Sequence, residues 1–265
     1  MSSFLSDLIR VVALQIVGVF GIFFVFSFIL DFLQTKTQTV YRRSVGWKGI
    51  LWTAWIGTPI HELSHALAAK IFRHKIERID LFHPNEETGN LGSVNHSYNP
   101  NSLYQKIGNF FIGAAPLIAG PFAIILLLYI LIPDSRAIVS SFAAEFKDPA
   151  DMLSAFVGAI GNLFSLANVR SWRFWLFVYL AFAIVIHMAP SRADQKNLWR
   201  GFFWIALVLV ILNACALILR LDITAYVLAL NRYLVYIAVL FIMAIFISVA
   251  HLAFVSILFA PFRRR

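Results

Sequence analysis

The sequence predicts an all-α polytopic membrane protein of about six transmembrane helices, with a small β-hairpin after the second. Three observations predict it. The 265-residue chain is 60% hydrophobic, carries 26 Phe and has a mean hydropathy of +0.80, a composition foreign to soluble domains. Its apolar residues fall into runs near the ~20 residues that cross a bilayer core as helix. Short polar loops join the runs, so residues 1–265 read as one transmembrane domain. The net charge of +9 is spread over loops and tail. That distribution suits contact with the anionic head groups of a lipid bilayer and the setting of topology, and not nucleic-acid binding. The single cysteine, Cys215, makes neither an intrachain disulfide nor a cysteine metal site.

The first span is Val11–Phe32. Only Arg10 and a short segment precede it, and the apolar run exceeds a signal-peptide core, so an uncleaved span is expected. Gly18 and Gly21 mark either a close helix contact or a plain lipid-facing surface. Gln34–Lys48 holds Lys36, Arg42, Arg43 and Lys48 and reads as a loop. The second span is Gly49–Phe72, with Pro59 placed to kink it. In the polar stretch Arg73–Gln105, Lys75–Phe82 and Leu91–Ser97 read as strands joined by the turn formers Pro84–Asn90. The edge of this hairpin either pairs with an extended peptide or belongs to an ordinary loop. His74, His83 and His96 read as surface or interfacial residues.

The third span, Ile107–Ile132, opens with Gly108, Gly113, Ala114, Ala115 and Gly120, which let helices approach closely. Pro116 and Pro121 should bend it. Asn109 bonds to a bound peptide backbone, orients a ligand, or caps the helix. Ser135–Ser171 reads as interfacial or re-entrant helices, one of them starting at Asp148-Pro149. The fourth span, Trp172–Met188, stops before Pro190. Phe202–Leu221 and Tyr233–Phe259 complete the set, with Asn213 and His251 as interhelical hydrogen-bonding groups. The terminal Arg263-Arg264-Arg265 favours a cytoplasmic C-terminus.

The second span also carries chemistry. Trp52–Lys70 reads WTAWIGTPIHELSHALAAK. Residues four apart share a helix face, so His61 and His65 can aim two imidazoles at one metal ion, with Glu62 one position round. This His-Glu-x-x-His spacing is that of zinc peptidases, where the carboxylate handles the protons of a water. In a membrane helix such groups are costly unless paired or metal-bound, and a polar packing cluster is the plainer alternative. A catalytic zinc needs a third protein ligand. If Ser135–Ser171 does not cross the membrane, span four runs in the direction of span two, and Asp194 lies on the side of His65. Asp194 is therefore the favoured third ligand, with helix capping as its other reading. Glu145 and His187 are the rivals. His187 fits better as a group behind the ligands.

These residues resemble the site-2 protease class of intramembrane zinc metallopeptidases. The resemblance covers roughly residues 49–200. It rests on His61-Glu62-x-x-His65 in a membrane helix, then Gly89-Asn90-Leu91-Gly92 and the Gly-rich third span, then Pro190 and Asp194 after a broken helix end. Where that family usually has Asn, Pro and Leu-Asp-Gly, this chain has His187, Pro190 and Ala193-Asp194-Gln195. The resemblance implies a minimal membrane core that hydrolyses a peptide bond in or near a transmembrane segment of a membrane-protein substrate. It implies zinc on His61, His65 and Asp194, Glu62 as the catalytic proton carrier, and a multi-pass place in the cell membrane with the site near the cytoplasmic side. Substrate helices must unwind first. The hairpin, the third span and Asn109 are then candidates for holding the strand. Other readings are a zinc peptidase using Glu145 on non-membrane chains, or a metal-binding scaffold or transporter. The chain shows no internal repeat of the kind transporters carry.

Overall fold

The computed structural model describes residues 2–143, 149–221 and 231–262. Helix α1 spans Ser2–Ser44, 43 residues, or about 65 Å at 1.5 Å per residue. It runs on through Gln34–Ser44, where the sequence suggested a loop. Nothing in that stretch breaks a helix, and the hydroxyls of Thr37 and Thr39 fold back onto the carbonyls of Leu33 and Thr35. The chain turns at Gly46, whose φ of 77° suits glycine. Helix α2 follows at Trp47–Ile71 and continues through Pro59.

The hairpin is present, with shorter strands than expected. β1 (Lys75–Asp80) pairs antiparallel with β2 (Ser93–Ser97), Ile76 opposite His96 and Arg78 opposite Asn95, with a bulge between Ile76 and Arg78. Helix α3 (Leu103–Leu131) starts on a Ser102 cap. Three short helices follow: α4 (Ser135–Ala143), α5 (Pro149–Leu163) and α6 (Leu166–Val169). At 15 residues the longest of them is only about 22 Å. α7 (Trp172–Val185) ends before Met188, and α8 (Arg192–Ile218) begins ten positions ahead of the expected Phe202. The early start has a local cause. Ser191 and Asp194 form a reciprocal capping box, which begins the helix as soon as Pro190 is passed. α9 is Asn231–Leu258, followed by one 3-10 turn. Glu145 and Arg263–Arg265 lie outside the described residues.

Four helices are long and apolar enough to cross a membrane by length and composition: α1, α3, α8 and α9. They account for four of the six expected spans. α7, with 14 residues, is about 21 Å long against a ~30 Å hydrocarbon core. α2 gives up hydropathy to His61, Glu62, His65 and Lys70.

Packing sets where the polar residues meet. α2 and α7 run side by side in the same direction, with Trp55 bonded to Tyr179 and His61 to the His187 backbone. Gly57 makes this possible, because a Cβ there would strike the Ala183 carbonyl. α3 runs against α8, and a Cβ on Gly113 would lie 2.5 Å from the Asp194 carbonyl oxygen. Edge-to-face rings join α1 to α3, α8 and α9: Phe20 with Phe110, Phe24 with Phe202, and Phe23 with Phe241. The expected interhelical amide is there, since Asn213 and Gln15 exchange two buried hydrogen bonds between α8 and α1. His251 pairs with the Tyr41 hydroxyl at 2.9 Å. An almost entirely apolar cavity of about 500 Å³ lies among α3, α4, α5, α7 and α9, lined by side chains such as Leu128, Phe177, Ala181 and Met243.

Candidate metal centre

The structure brings His61, His65 and Asp194 together. One donor atom from each lies within 4.8 Å of the other two. His61 Nε2 is 3.0 Å from His65 Nε2. The Asp194 carboxylate completes the triangle, with Oδ1 3.1 Å from His65 Nε2 and Oδ2 3.4 Å from His61 Nε2. Atoms bonded at about 2.0 Å to one tetrahedral ion stand roughly 3.3 Å apart, so the three edges suit a small tetrahedral ion.

The protons on the rings support the same reading. His61 Nδ1–H donates to the His187 carbonyl at 2.6 Å, and His65 Nδ1–H to the Ile112 carbonyl at 2.7 Å. In a neutral imidazole the other nitrogen then carries a bare lone pair. Two lone pairs and a carboxylate converge, an arrangement that a metal ion, or a proton shared among them, satisfies. The donor set therefore fits a metal ion.

Both supporting carbonyls are free for a reason written in the sequence. Helix α7 ends at Val185, so the carbonyl of His187 has no helical partner. The Ile112 carbonyl lies inside α3, where its partner would be the N–H of residue 116. That residue is Pro116, which has none. The proline expected to bend α3 thus also frees the acceptor that orients His65.

Asp194 both caps and faces the histidines. Its Oδ2 accepts the Ser191 N–H at 2.8 Å, while Oδ1 lies 3.1 Å from His65 Nε2. The capping bond fixes the carboxylate so that Oδ1 looks at His65. The two readings of this residue, cap and ligand, are compatible in one geometry.

Glu62 is buried, and among the described residues no hydrogen bond reaches its carboxylate. It lines a cleft of about 450 Å³ together with the metal set. Gly92 presses onto it, since a Cβ there would come within 2.9 Å of Glu62 Cγ and of Thr58 Cγ2. The residue just before β2 is therefore seated against the Glu62 side chain.

The remaining expected residues are placed as follows. His187 contributes its carbonyl, and its Nε2 lies 3.2 Å from the Thr53 hydroxyl. Pro190 ends the turn, and its carbonyl accepts from the Gln195 amide. Asn109 is not brought to the cleft. Its amide nitrogen bonds the Gln105 and Lys106 carbonyls of its own helix, and its Oδ1 is buried without a partner. His83 is exposed.

Several cleft residues escaped the sequence reading: Gln34, Gln38, Thr58, His96 and Asn197. Thr58 stands four residues before Glu62, so helix spacing could have found it. Gln34 and Gln38 share a face in the same way, but only once their segment is known to be helical. His96 had no local signal. Its Nδ1 lies 3.0 Å from His74 Nδ1, and His74 Nε2 lies 2.9 Å from the Gln105 carbonyl. Burial, and after it the neighbouring His74 ring, push His96 down to about 4. Burial also lowers His74, against the raising effect of the Gln105 carbonyl. Both rings are neutral at pH 7.

No family model matches this chain, and neither a curated protein nor a solved structure matches it.

Proposed function

We propose that this chain is a membrane-embedded zinc metalloendopeptidase of the site-2 type, hydrolysing a peptide bond in or beside a transmembrane segment of another protein. One observation carries the reading: an unpaired, buried carboxylate, Glu62, in the same cleft as a His61–His65–Asp194 donor set. In the bilayer, α2 and α7 stand among the four long apolar helices to give about six spans, and the cleft opens near the cytoplasmic side.

Zinc held by His61 Nε2, His65 Nε2 and Asp194 Oδ1 would supply Lewis acidity, polarising a scissile carbonyl and easing loss of a proton from water. The chain's own residues do the rest. Glu62 holds that proton on its carboxylate and hands it to the leaving amine nitrogen. The carbonyls of His187 and Ile112 keep the imidazoles in the tautomer that presents Nε2. β2 lines the cleft, and the sheet has only two strands, so its second edge is open to an unwound peptide. No Lys or Arg lines the cleft. Among the described residues the lining thus holds no cation for a terminal carboxylate, which favours internal cleavage over removal of C-terminal residues.

The test is metal content followed by cleavage. Purified protein should hold about one zinc per chain, the stoichiometry of a single site. Incubated with a panel of single-span membrane peptides in detergent, it should create new termini detectable by mass spectrometry, and Glu62→Gln should bind zinc and create none. Zinc-free protein prepared without chelator, or a Glu62→Gln protein that cleaves like wild type, overturns the proposal and leaves a metal-binding or packing scaffold.

A further inference from the structure

Three polar groups line the cleft and are used neither by the metal set nor by the protein around them. Thr58 is 4% exposed, and its hydroxyl is buried without a hydrogen-bond partner. This is unusual within the same molecule. The hydroxyls of Thr37, Thr39 and Thr53 each return to a carbonyl three or four residues back in their own helices. The second group is Gln34 Oε1 on α1, which is also buried and unpaired. The third is His96 Nε2 on β2. His74 Nε2–H donates to the Gln105 carbonyl, so His74 Nδ1 is an acceptor and His96 Nδ1 must be the donor to it. His96 Nε2 is then a bare lone pair in a cleft-lining side chain.

Orphaned buried polar atoms cost stability, and native chains keep few of them. Of the five such side-chain atoms among the described residues, two, Gln34 Oε1 and Thr58 Oγ1, stand with the bare His96 Nε2 on three walls of one cleft: α1, α2 and β2. The geometry points to a backbone-binding subsite in which Gln34 Oε1 and His96 Nε2 accept peptide N–H groups and the Thr58 hydroxyl donates to a peptide carbonyl. Its ligand class is the backbone of an extended, unwound polypeptide. Such a strand shows alternating donors and acceptors along its edges, and reading backbone alone leaves the side-chain sequence open. The inference rests on the peptidase reading and adds the groups that hold the unwound strand.

The probe pair is an N-acyl-trileucyl hydroxamate and acetohydroxamate, titrated separately into zinc-loaded protein in detergent. Both chelate through the same head group, and only the first carries a peptide backbone. Wild type should bind the trileucyl compound more tightly. Thr58→Val, Gln34→Leu and His96→Phe should each weaken that compound about fivefold, the loss of one hydrogen bond, and leave acetohydroxamate unchanged. Thr58→Ser should bind as wild type does. Thr58→Val should melt no earlier than wild type, because it removes a group that has no partner in the resting protein. If all three variants bind the trileucyl compound as tightly as wild type, the subsite falls and the peptidase reading stands. A variant that loses acetohydroxamate in parallel has damaged the metal set, and its residue is struck from the subsite. Protein that takes up no zinc, or binds neither compound, removes the peptidase reading and this inference with it.

Discussion

Two cavities of nearly equal size occupy this small helical bundle, a polar cleft of about 450 Å³ and an apolar one of about 500 Å³. The apolar cavity is walled largely by hydrocarbon side chains on helices, and a polar side chain there would meet almost no polar partner. The polar cleft has α1 and α2 as two of its walls, and the others stand where helices end or falter: the turn after α7, the first turn of α8, the proline gap of α3 and the strand β2. Those places leave carbonyls and N–H groups over, and the histidines and Asp194 use them. The difference teaches that polar chemistry in such a bundle follows the supply of unspent backbone groups, not the supply of space.

The largest effect should come from Glu62→Gln, which removes the proton carrier and leaves the donor set. Peptide hydrolysis should fall about 10²- to 10⁴-fold with zinc content unchanged, read by product formation and metal analysis. Next is Asp194. Asp194→Ala should lower zinc affinity by more than the roughly 10- to 100-fold typical of outer-sphere partners, measured by chelator competition. Asp194→Asn should lose the metal in the same way yet keep the start of α8, because the Asn side-chain oxygen can still accept the Ser191 N–H. Equal fraying of α8 in both variants, read by hydrogen exchange, would contradict the capping role.

The contrast between cavities is tested directly by Ala181→Asn, which places an amide in the apolar one. Ala181 is 2% exposed, so the variant should lose about 1–3 kcal/mol of stability, seen as a lower melting temperature. An unchanged melting temperature would mean that water or a hidden partner serves that cavity too. Pro116→Ala should act with opposite signs on fold and site. Restoring an N–H to α3 gives the Ile112 carbonyl a competing donor, so zinc affinity should drop about tenfold while the helix melts no earlier.

The smallest effect concerns pH and the hairpin. His96 sits near 4 in the folded protein against an ordinary 6.5. The unfolded hairpin therefore takes up more protons between those values. The stability that the neutral ring contributes is fully present above about 6.5 and is lost as pH falls towards 4. Hydrogen-exchange protection of β1 and β2 should be lower at pH 5 than at pH 7.5. Equal protection at both would show that His96 is not held neutral by its surroundings.

Much of the site was legible because it is local. The His61–Glu62–His65 spacing is a property of one helix, and the juxtaposition of Asp194 followed from the direction of α7 relative to α2. The strand pair and the break before Pro190 came from turn formers and proline. What was not legible depended on distant partners. The tie from His96 through His74 to Gln105 joins three segments. Asn109 looked available in the sequence, yet its amide nitrogen is bound within its own helix and its Oδ1 is buried without a partner. The helical course of Gln34–Ser44 was missed because polar composition was read as loop, when only Gly46 supplies a break.

The carbonyls that orient His61 and His65 belong to the main chain at positions 187 and 112. A carbonyl is common to all twenty residue types, so drift at these two positions can alter the side chain and leave the tautomer control in place. Selection would instead register at Pro116, which appears in no ligand list, and at the length of α7, which no substitution count records. Relatives sharing this centre would then be recognised by a proline four residues beyond an otherwise variable position.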